Sequence, residues 1–330
     1  MAEFLTFDTD ITAVANAIRA KGGTSAQLVY PNGFVSAIQA IQTGITPKLV
    51  ITTAPGASIT ATPAEGFKVV KGTAGTDGMC TLELPKAGTW NVTAMANSVS
   101  NSQHIVIGTQ NMLLPLYHDT FADNTWEEII AVCRTGIAPD SWAVGDSKSM
   151  TIGGTAYQVD IIGKNHDEYS GGSGTAPLTF QLHDCYSEAK QMYSTNLSGL
   201  GWKNTDMRLT YLPAILALMP AEVQNGIRAV NKKTSEGGNS TTIEMVSDTL
   251  FLLSEVEIFG TASSSVAGEG SQYDYYKAGN PKIKKREGVD EFWWERSSAS
   301  GGMFCRVRAN GQAGASNASN SLGVSFAFCF

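Results

Sequence analysis

The stretch from Val289 to Phe330 constrains the fold of this chain more than any other. It opens Val289-Asp-Glu-Phe-Trp-Trp-Glu-Arg-Ser297 and passes through a Ser/Gly/Ala/Asn-rich middle that carries Phe304-Cys-Arg-Val-Arg308. It closes Leu322-Gly-Val-Ser-Phe-Ala-Phe-Cys-Phe330. A chain end frays unless a sheet holds it. Val324, Phe326, Phe328 and Phe330 alternate with Ser325, Ala327 and Cys329, the two-residue period of a strand with one face deep in a core. The stretch reads as a rigid core made from two aromatic ends, holding out a polar surface made from the middle. Recognition is the natural use of such a surface.

Upstream the character changes twice. Residues 1–45 read as two short helices. In the first, Thr9 or Asp10 is the cap, Ile11, Val14 and Ile18 form the apolar stripe, and Lys21-Gly22-Gly23 is the stop. The second starts near Pro31-Asn-Gly33, with Phe34, Ile38 and Ile41 on one face and Gly44 as its end. Helices this short cannot bury a stripe alone. They pack on copies of themselves, on a partner, or on the next domain. Residues 46–110 carry strand-like runs at Leu49-Val-Ile, Ser58-Ile-Thr-Ala, Phe67-Lys-Val-Val70, Cys80-Thr-Leu, Thr89-Trp-Asn-Val and His104-Ile-Val-Ile107, divided by Gly, Pro and Asp-Gly turns. That spacing is a β-sandwich's, and Leu84-Pro-Lys-Ala-Gly-Thr-Trp-Asn-Val92 resembles the late hairpin of small immunoglobulin-like or carboxypeptidase-regulatory-like modules, which are usually spacers.

From 111 onward helices and strands mix. A helix is expected from about Asn124, with Trp126, Ile129, Ile130 and Cys133 inward. A hairpin turning at Gly153-Gly154 and a strand at Leu178-Thr-Phe-Gln-Leu182 follow. Tyr211–Met219 and Ala221–Asn231 read as helices, the latter with Val223, Ile227 and Val230 on one stripe. Leu250 to Gly260 reads as core, and Gln272-Tyr-Asp-Tyr-Tyr276 as exposed loop.

Composition narrows the function. A net charge of −7 and a pI near 5.2 argue against a nucleic-acid binder, which shows a basic face. The one basic run, Lys282-Ile-Lys-Lys-Arg286, reads as a solvated loop, with a polyanion site as the alternative. Five cysteines are scattered without a Cys-x-x-Cys pair, which suggests buried reduced thiols and neither zinc site nor disulfide framework. Met1-Ala-Glu-Phe-Leu-Thr-Phe-Asp8 lacks the pattern of a secretory signal, and no apolar run is long enough to span a membrane. No membrane insertion is expected. Hydrolytic candidates are His166-Asp167, His183-Asp184, and Glu255 with Glu257. Neighbours on an extended chain point apart, so turn hydrogen bonds suit the two His-Asp pairs better than a triad. No cofactor is called for. A structural calcium near Asp184 or Glu257 is compatible with the sequence but not required by it.

A series of motifs in one order carries a resemblance: Trp142-x-x-Gly-Asp146, Ile161-Ile-Gly-x-x-His166-Asp167, Asp184-Cys185, Gly201-Trp202, Met207-Arg208, Phe251-Leu-Leu-Ser254-x-x-Glu257, Gln272-Tyr273, Trp293-Trp294-x-Arg296-Ser297 and Gly323-Val-x-Phe-Ala-Phe328. Over about residues 117–330 the chain resembles a domain of phage and prophage tail proteins of Gram-positive hosts. That domain is similar to the C-type-lectin-like fold in its formylglycine-generating-enzyme form, which diversity-generating retroelements use for variable proteins. The opening, around Ala15-Asn-Ala-Ile-Arg-Ala-Lys-Gly-Gly23 and Pro31-Asn-Gly-Phe34, resembles the segment that begins many such tail proteins. The ending departs from the commoner Gly-Phe/Val-Arg-Pro-Ala pattern at Ser325 and Phe326.

The resemblance implies a multidomain chain: a short N-terminal α-helical module at 1–45, an immunoglobulin-like β-sandwich at 46–110, and a C-terminal α+β C-type-lectin-like domain at 111–330. It implies a non-enzymatic receptor-binding protein of the virion tail, trimeric, joined to other tail proteins through residues 1–45 and touching a host glycan or protein through its C-terminal domain. The rivals are a structural tail decoration and a tail-associated glycan hydrolase. Trp293, Trp294, Arg296, Gly323, Phe326 and Phe328 would be architectural. Ligand contact would come from Glu295, Ser298, Ser300, Phe304, Arg306, Arg308, Asn310, Gln312, Asn317 and Asn320. If Cys305 and Val307 point inward, the period of two sends Phe304, Arg306 and Arg308 outward on one face. The Asn/Ser/Ala/Gly excess is what adenine-directed mutagenesis of Asn codons would leave, and equally what an ordinary loop contains.

Overall fold

The structure, a computed structural model, describes residues 8–22 and 47–330 apart from 65, 67, 86, 98, 108, 109, 173 and 239. It divides into two compact units, Met1–Tyr117 and His118–Phe330. In the first, a helix spans Asp8–Gly22. Ala15 and Ile18 are buried on it, while Val14, expected on the stripe, is 49% exposed. The Ile11 side chain and the expected second helix with Phe34, Ile38 and Ile41 lie outside the described residues.

Seven strands follow among the described residues of this unit: β1 Lys48–Thr52, β2 Ser58–Pro63, β3 Val70–Thr73, β4 Met79–Glu83, β5 Gly88–Ala96, β6 Val99–Ile107 and β7 Gln110–Leu113. They form two sheets, ordered β4-β1-β7 and β3-β2-β5-β6. Alternate residues of both sheets enter one core, among them Leu49 and Ile51 of β1, Ile59 and Ala61 of β2, Leu82 of β4, and Trp90, Val92 and Ala94 of β5. Two sheets that each bury one face have this two-layer solution.

The second unit is built on a five-stranded sheet ordered β13-β19-β10-β9-β8, comprising β8 Ser147–Ile152, β9 Thr155–Lys164, β10 Leu178–Leu182, β13 Leu250–Phe251 and β19 Ala327–Cys329. β8 and β9 are joined by the two-residue turn Gly153-Gly154, with φ of 56° and 85°. Positive φ at both positions is the type I′ geometry, which glycine adopts without strain. Helix Trp126–Arg134 starts on a reciprocal cap between Thr125 and Glu128 and buries Trp126, Ile129, Ile130 and Cys133. Trp126 joins an aromatic cluster centred on Phe180 of β10, whose ring lies 5.8 Å from Trp126, 5.2 Å from Phe328 and 5.3 Å from Phe330.

β19 lies inside the sheet, between β13 and β10. Both of its faces are covered: Ser325, Ala327 and Cys329 are as fully buried as Phe326 and Phe328. The alternation in sequence reports a large-small packing pattern there, not one wet face. Three further expectations are corrected. Helix Ala221–Gly226 ends early, with Ile227 already extended at φ −59° and ψ 131° and Gly226 packed where a Cβ would come within 2.5 Å of Ile130; Val230 opens strand β11 Val230–Ser235, paired with β12 Ile243–Asp248. Tyr273, Tyr275 and Tyr276 are buried around a short helix, Asp274–Lys277, and are not an exposed loop. Within the basic run, β14 Lys284–Arg286 pairs with β15 Val289–Glu291. Lys284 is buried there, with Nζ donating to the carbonyls of Leu182 (2.6 Å) and His183 (2.8 Å). No described helix is long and apolar enough to cross a membrane.

Candidate functional site

The polar middle of the C-terminal stretch folds as a three-stranded sheet, β16 Trp293–Ser298, β17 Met303–Val307 and β18 Ala313–Asn317, in that order. Every residue of β16 is buried. Trp293 donates its indole N–H to the Lys282 carbonyl at 2.9 Å and Trp294 to Lys190 at 2.8 Å. Buried tryptophans need such partners, and here they bolt the sheet to two distant segments.

Arg296 is the hub beneath the sheet. Its Nη1 donates to a Glu257 carboxylate oxygen and to the Leu252 carbonyl (3.0 Å). Its Nη2 donates to the other Glu257 oxygen (3.0 Å) and to the carbonyls of Lys233 (2.9 Å) and Glu269 (2.8 Å). Burial works against its charge, but Glu257 more than offsets this and raises its affinity for the proton. Glu257 also accepts from Lys232 (2.7 Å), which reaches Asp167 (2.7 Å) and Tyr273 (3.0 Å). Two carboxylates and two cations thus share one dry space and neutralise each other, which a buried charge requires. Burial would raise the Asp167 carboxyl, yet Lys232 overrides it and holds the group down at about 2. The sequence signal for Lys232 was the alternation Val230, Lys232, Thr234, all buried in β11.

Beside this balanced group lies an unbalanced one. Glu255 is held ionised by the hydroxyls and amides of Ser263, Ser264 and Ser265, which outweigh its burial. Glu269 accepts from Ser235 N at 2.8 Å and from the Ser297 hydroxyl, and burial raises its pKa. Glu295 is fully buried, and neither of its oxygens meets a hydrogen-bond partner among the described residues; the same holds for the Ser298 hydroxyl. Burial, then the charges of Glu255 and Glu269, push Glu295 well above the carboxylate range. A shift in that direction favours the neutral acid in the fold.

The residues expected at the ligand surface divide into three sets. Glu295, Ser298 and Phe304 are buried, a correction to the outward placement. Phe304 does share the face of Arg306, as a period of two demands. Tyr193, however, comes from an irregular segment to cover that end of the sheet, with rings 6.0 Å apart. Arg306, Arg308, Asn310 and Gln312 gather at one end of the β17–β18 hairpin. Its turn is closed by Arg308 N donating to the Gln312 carbonyl at 2.7 Å and by Gln312 N donating to the Asn310 side chain at 3.2 Å. Ser300, Asn317 and Asn320 lie at the other end, where Asn320 N donates to the Asn317 carbonyl at 2.9 Å. A strand rises about 3.3 Å per residue, so the length of β17 separates the two exposed groups.

Other constellations hold less chemistry. Ser147, Asp160 and His183 come together, but the serine hydroxyl and His183 Nδ1 (2.8 Å) both bond the carboxylate. No imidazole reaches the hydroxyl, so this arrangement does not activate a nucleophile as a triad does. A cleft of about 230 Å³ is lined by His166, Asp167, Asn231, Lys232 and Glu257; its acid and its amine are spent on each other. Asp184, a calcium candidate, accepts from Lys285 N at 2.7 Å, and Glu257 is taken by Arg296 and Lys232. Among the described residues no group of His, Cys, Asp and Glu is arranged to hold a metal ion.

Residues 179–330 fit the model of a family described as a domain of unknown function, DUF6273. The matched region begins in β10 and takes in β16, β17 and β18, while β8, β9 and helix Trp126–Arg134 fall before it. No curated protein matches the chain.

Proposed function

We propose that this chain is a receptor-binding protein of a phage tail, with its second unit a C-type-lectin-like domain that touches the host cell. One observation carries the reading: Arg308, Asn310 and Gln312 stand exposed, with Arg306 half-buried beside them, on a hairpin whose supporting strand, β16, is buried along its whole length and anchored by two tryptophans and Arg296. Polar side chains on a rigid base can vary without loss of the fold, as in antibody loops. In this reading the two-sheet unit is an immunoglobulin-like spacer, and residues 1–45 join three copies to the tail, where weak sites gain by avidity. The resemblance in motif order supports the placement on a virion.

The test is adhesion of the labelled full chain to a panel of Gram-positive bacteria and their extracted wall fractions. Two variants accompany it, one with Arg306, Arg308, Asn310 and Gln312 changed to Ala, the other with Ser300, Asn317 and Asn320 changed to Ala. Selective adhesion that the first variant loses supports the reading. Adhesion to no host, or adhesion unchanged in both variants, sinks it in favour of a structural tail role. The Ser147–Asp160–His183 geometry gives the hydrolase reading no support, and release of reducing sugar from the wall fractions would revive it.

A further inference from the structure

Arg306 and Arg308 are separated by one residue on an extended segment, so their side chains share a face about 6.5 Å apart. Each commits its Nε to β18, Arg306 to the Ala315 carbonyl and Arg308 to the Ala313 carbonyl, both at 3.1 Å. Those two bonds fix both guanidinium planes. The Nη groups of both meet no hydrogen-bond acceptor among the described residues, and no described carboxylate forms an ion pair with either. Glu291, the chain neighbour of Phe292, is tied to Arg286 at 2.9 Å. The Arg306 guanidinium lies 4.1 Å over the Phe292 ring.

Gly314 completes the arrangement. It pairs with Arg306 across the ladder, and a Cβ on it would come 2.8 Å from the Nε of Arg308. Its bare backbone is the floor on which Arg308 rests. A chain of net charge −7 has carboxylates to spare, yet no carboxylate among the described residues neutralises this pair. Two aligned guanidinium forks with free Nη edges fit phosphate or carboxylate groups bidentately.

We infer that this end of the hairpin is an anion site, and that the receptor it takes is a polyanionic glycan carrying phosphate or carboxylate groups at intervals along its chain. The inference rests on the receptor-binding reading and names the ligand class for it. Nucleic acid is disfavoured because the acidic chain offers no extended basic stripe.

The experiment uses the full chain with fluorescent poly(glycerol phosphate), polygalacturonate, dextran and a DNA duplex, alongside whole cells of an adhering strain. The variants are Arg306→Gln/Arg308→Gln and Gly314→Ala, each checked for fold by circular dichroism. The second keeps every charge and only displaces Arg308. Expected are binding to one or both acidic polymers but not to dextran, weakening steeply between about 50 and 200 mM salt. The double variant should bind at least about tenfold more weakly and Gly314→Ala a few-fold more weakly. The better-bound polymer tells phosphate from carboxylate. No binding to either polymer, undiminished binding by the double variant, or equally tight binding to DNA overturns the anionic-glycan site. Adhesion to cells without polymer binding overturns the anion site and leaves receptor binding standing. Polymer binding that the double variant loses, with no cell adhering, keeps the anion site and removes the receptor reading.

Discussion

At the residue scale, Glu295 makes the sharpest prediction. Its folded pKa stands well above 4.5, through burial and then Glu255 and Glu269, while an unfolded glutamate ionises near about 4.3. Above that pH the unfolded chain releases a proton that the native state keeps. Native protein then binds more protons, and stability falls as pH rises. Glu269 contributes with the same sign. Glu295→Gln keeps shape and removes one such group, so urea titrations at pH 5 and pH 8 should show the variant gaining on wild type by at least ~1 kcal/mol at the higher pH. A variant that loses stability equally at both pH values would mean that Glu295 is ionised and paired. Arg296→Lys keeps the charge but not the fork that spans Glu257 and three carbonyls. It should cost about 3–5 kcal/mol, read as a large fall in the urea midpoint, whereas Arg308→Ala at the surface should stay within about 0.5 kcal/mol of wild type. The aromatic motif and the Gly-Gly turn were legible because their signals are local in sequence. The burial of Phe304 was not, because the period of two tells which residues share a face and not that Tyr193 will cover it.

At the element scale, β19 shows how far a strand's worth depends on its neighbours. Phe328 stacks on Phe180 at 5.2 Å and meets Phe330 at 5.5 Å. Phe328→Ala should therefore cost about 3–5 kcal/mol, measurable as a lowered urea midpoint with an unchanged slope. A loss under about 1 kcal/mol would show that the strand is dispensable to the sheet. Sequence pattern located β8, β9, β10 and β19, since their turns and alternation are self-contained. It misplaced the end of helix Ala221–Gly226, because Ile227 turns extended and Val230 is taken into the β11–β12 ladder by Asp248, a partner far along the chain that an apolar stripe does not reveal. It also read the tyrosines near 273 as exposed, because their hydroxyls look polar until Asp167 and Gln181 accept from them at 2.8 and 2.6 Å.

At the scale of the whole molecule, each unit closes a core of its own. Trp90 belongs to the first unit, and Trp126, Trp142, Trp202, Trp293 and Trp294 to the second. Indole fluorescence of the full chain in urea should thus report mainly the second unit, and residues 118–330 made alone should give a cooperative transition with a native-like emission maximum. A red-shifted, non-cooperative fragment would show that the second unit does not stand by itself. Within that unit, β10 meets its neighbour β19 across a separation of 150 residues, from Thr179 to Cys329. At synthesis rates of about 5–20 residues per second, β10 waits roughly 8 to 30 s for its partner. During that interval one of its edges is open, and an open apolar edge invites pairing with another nascent chain. Thr179 and Gln181 interrupt Leu178, Phe180 and Leu182. In the finished fold they serve Asp167 (2.6 Å) and Tyr276 (2.6 Å); before it forms, they keep the waiting strand from being apolar on both sides.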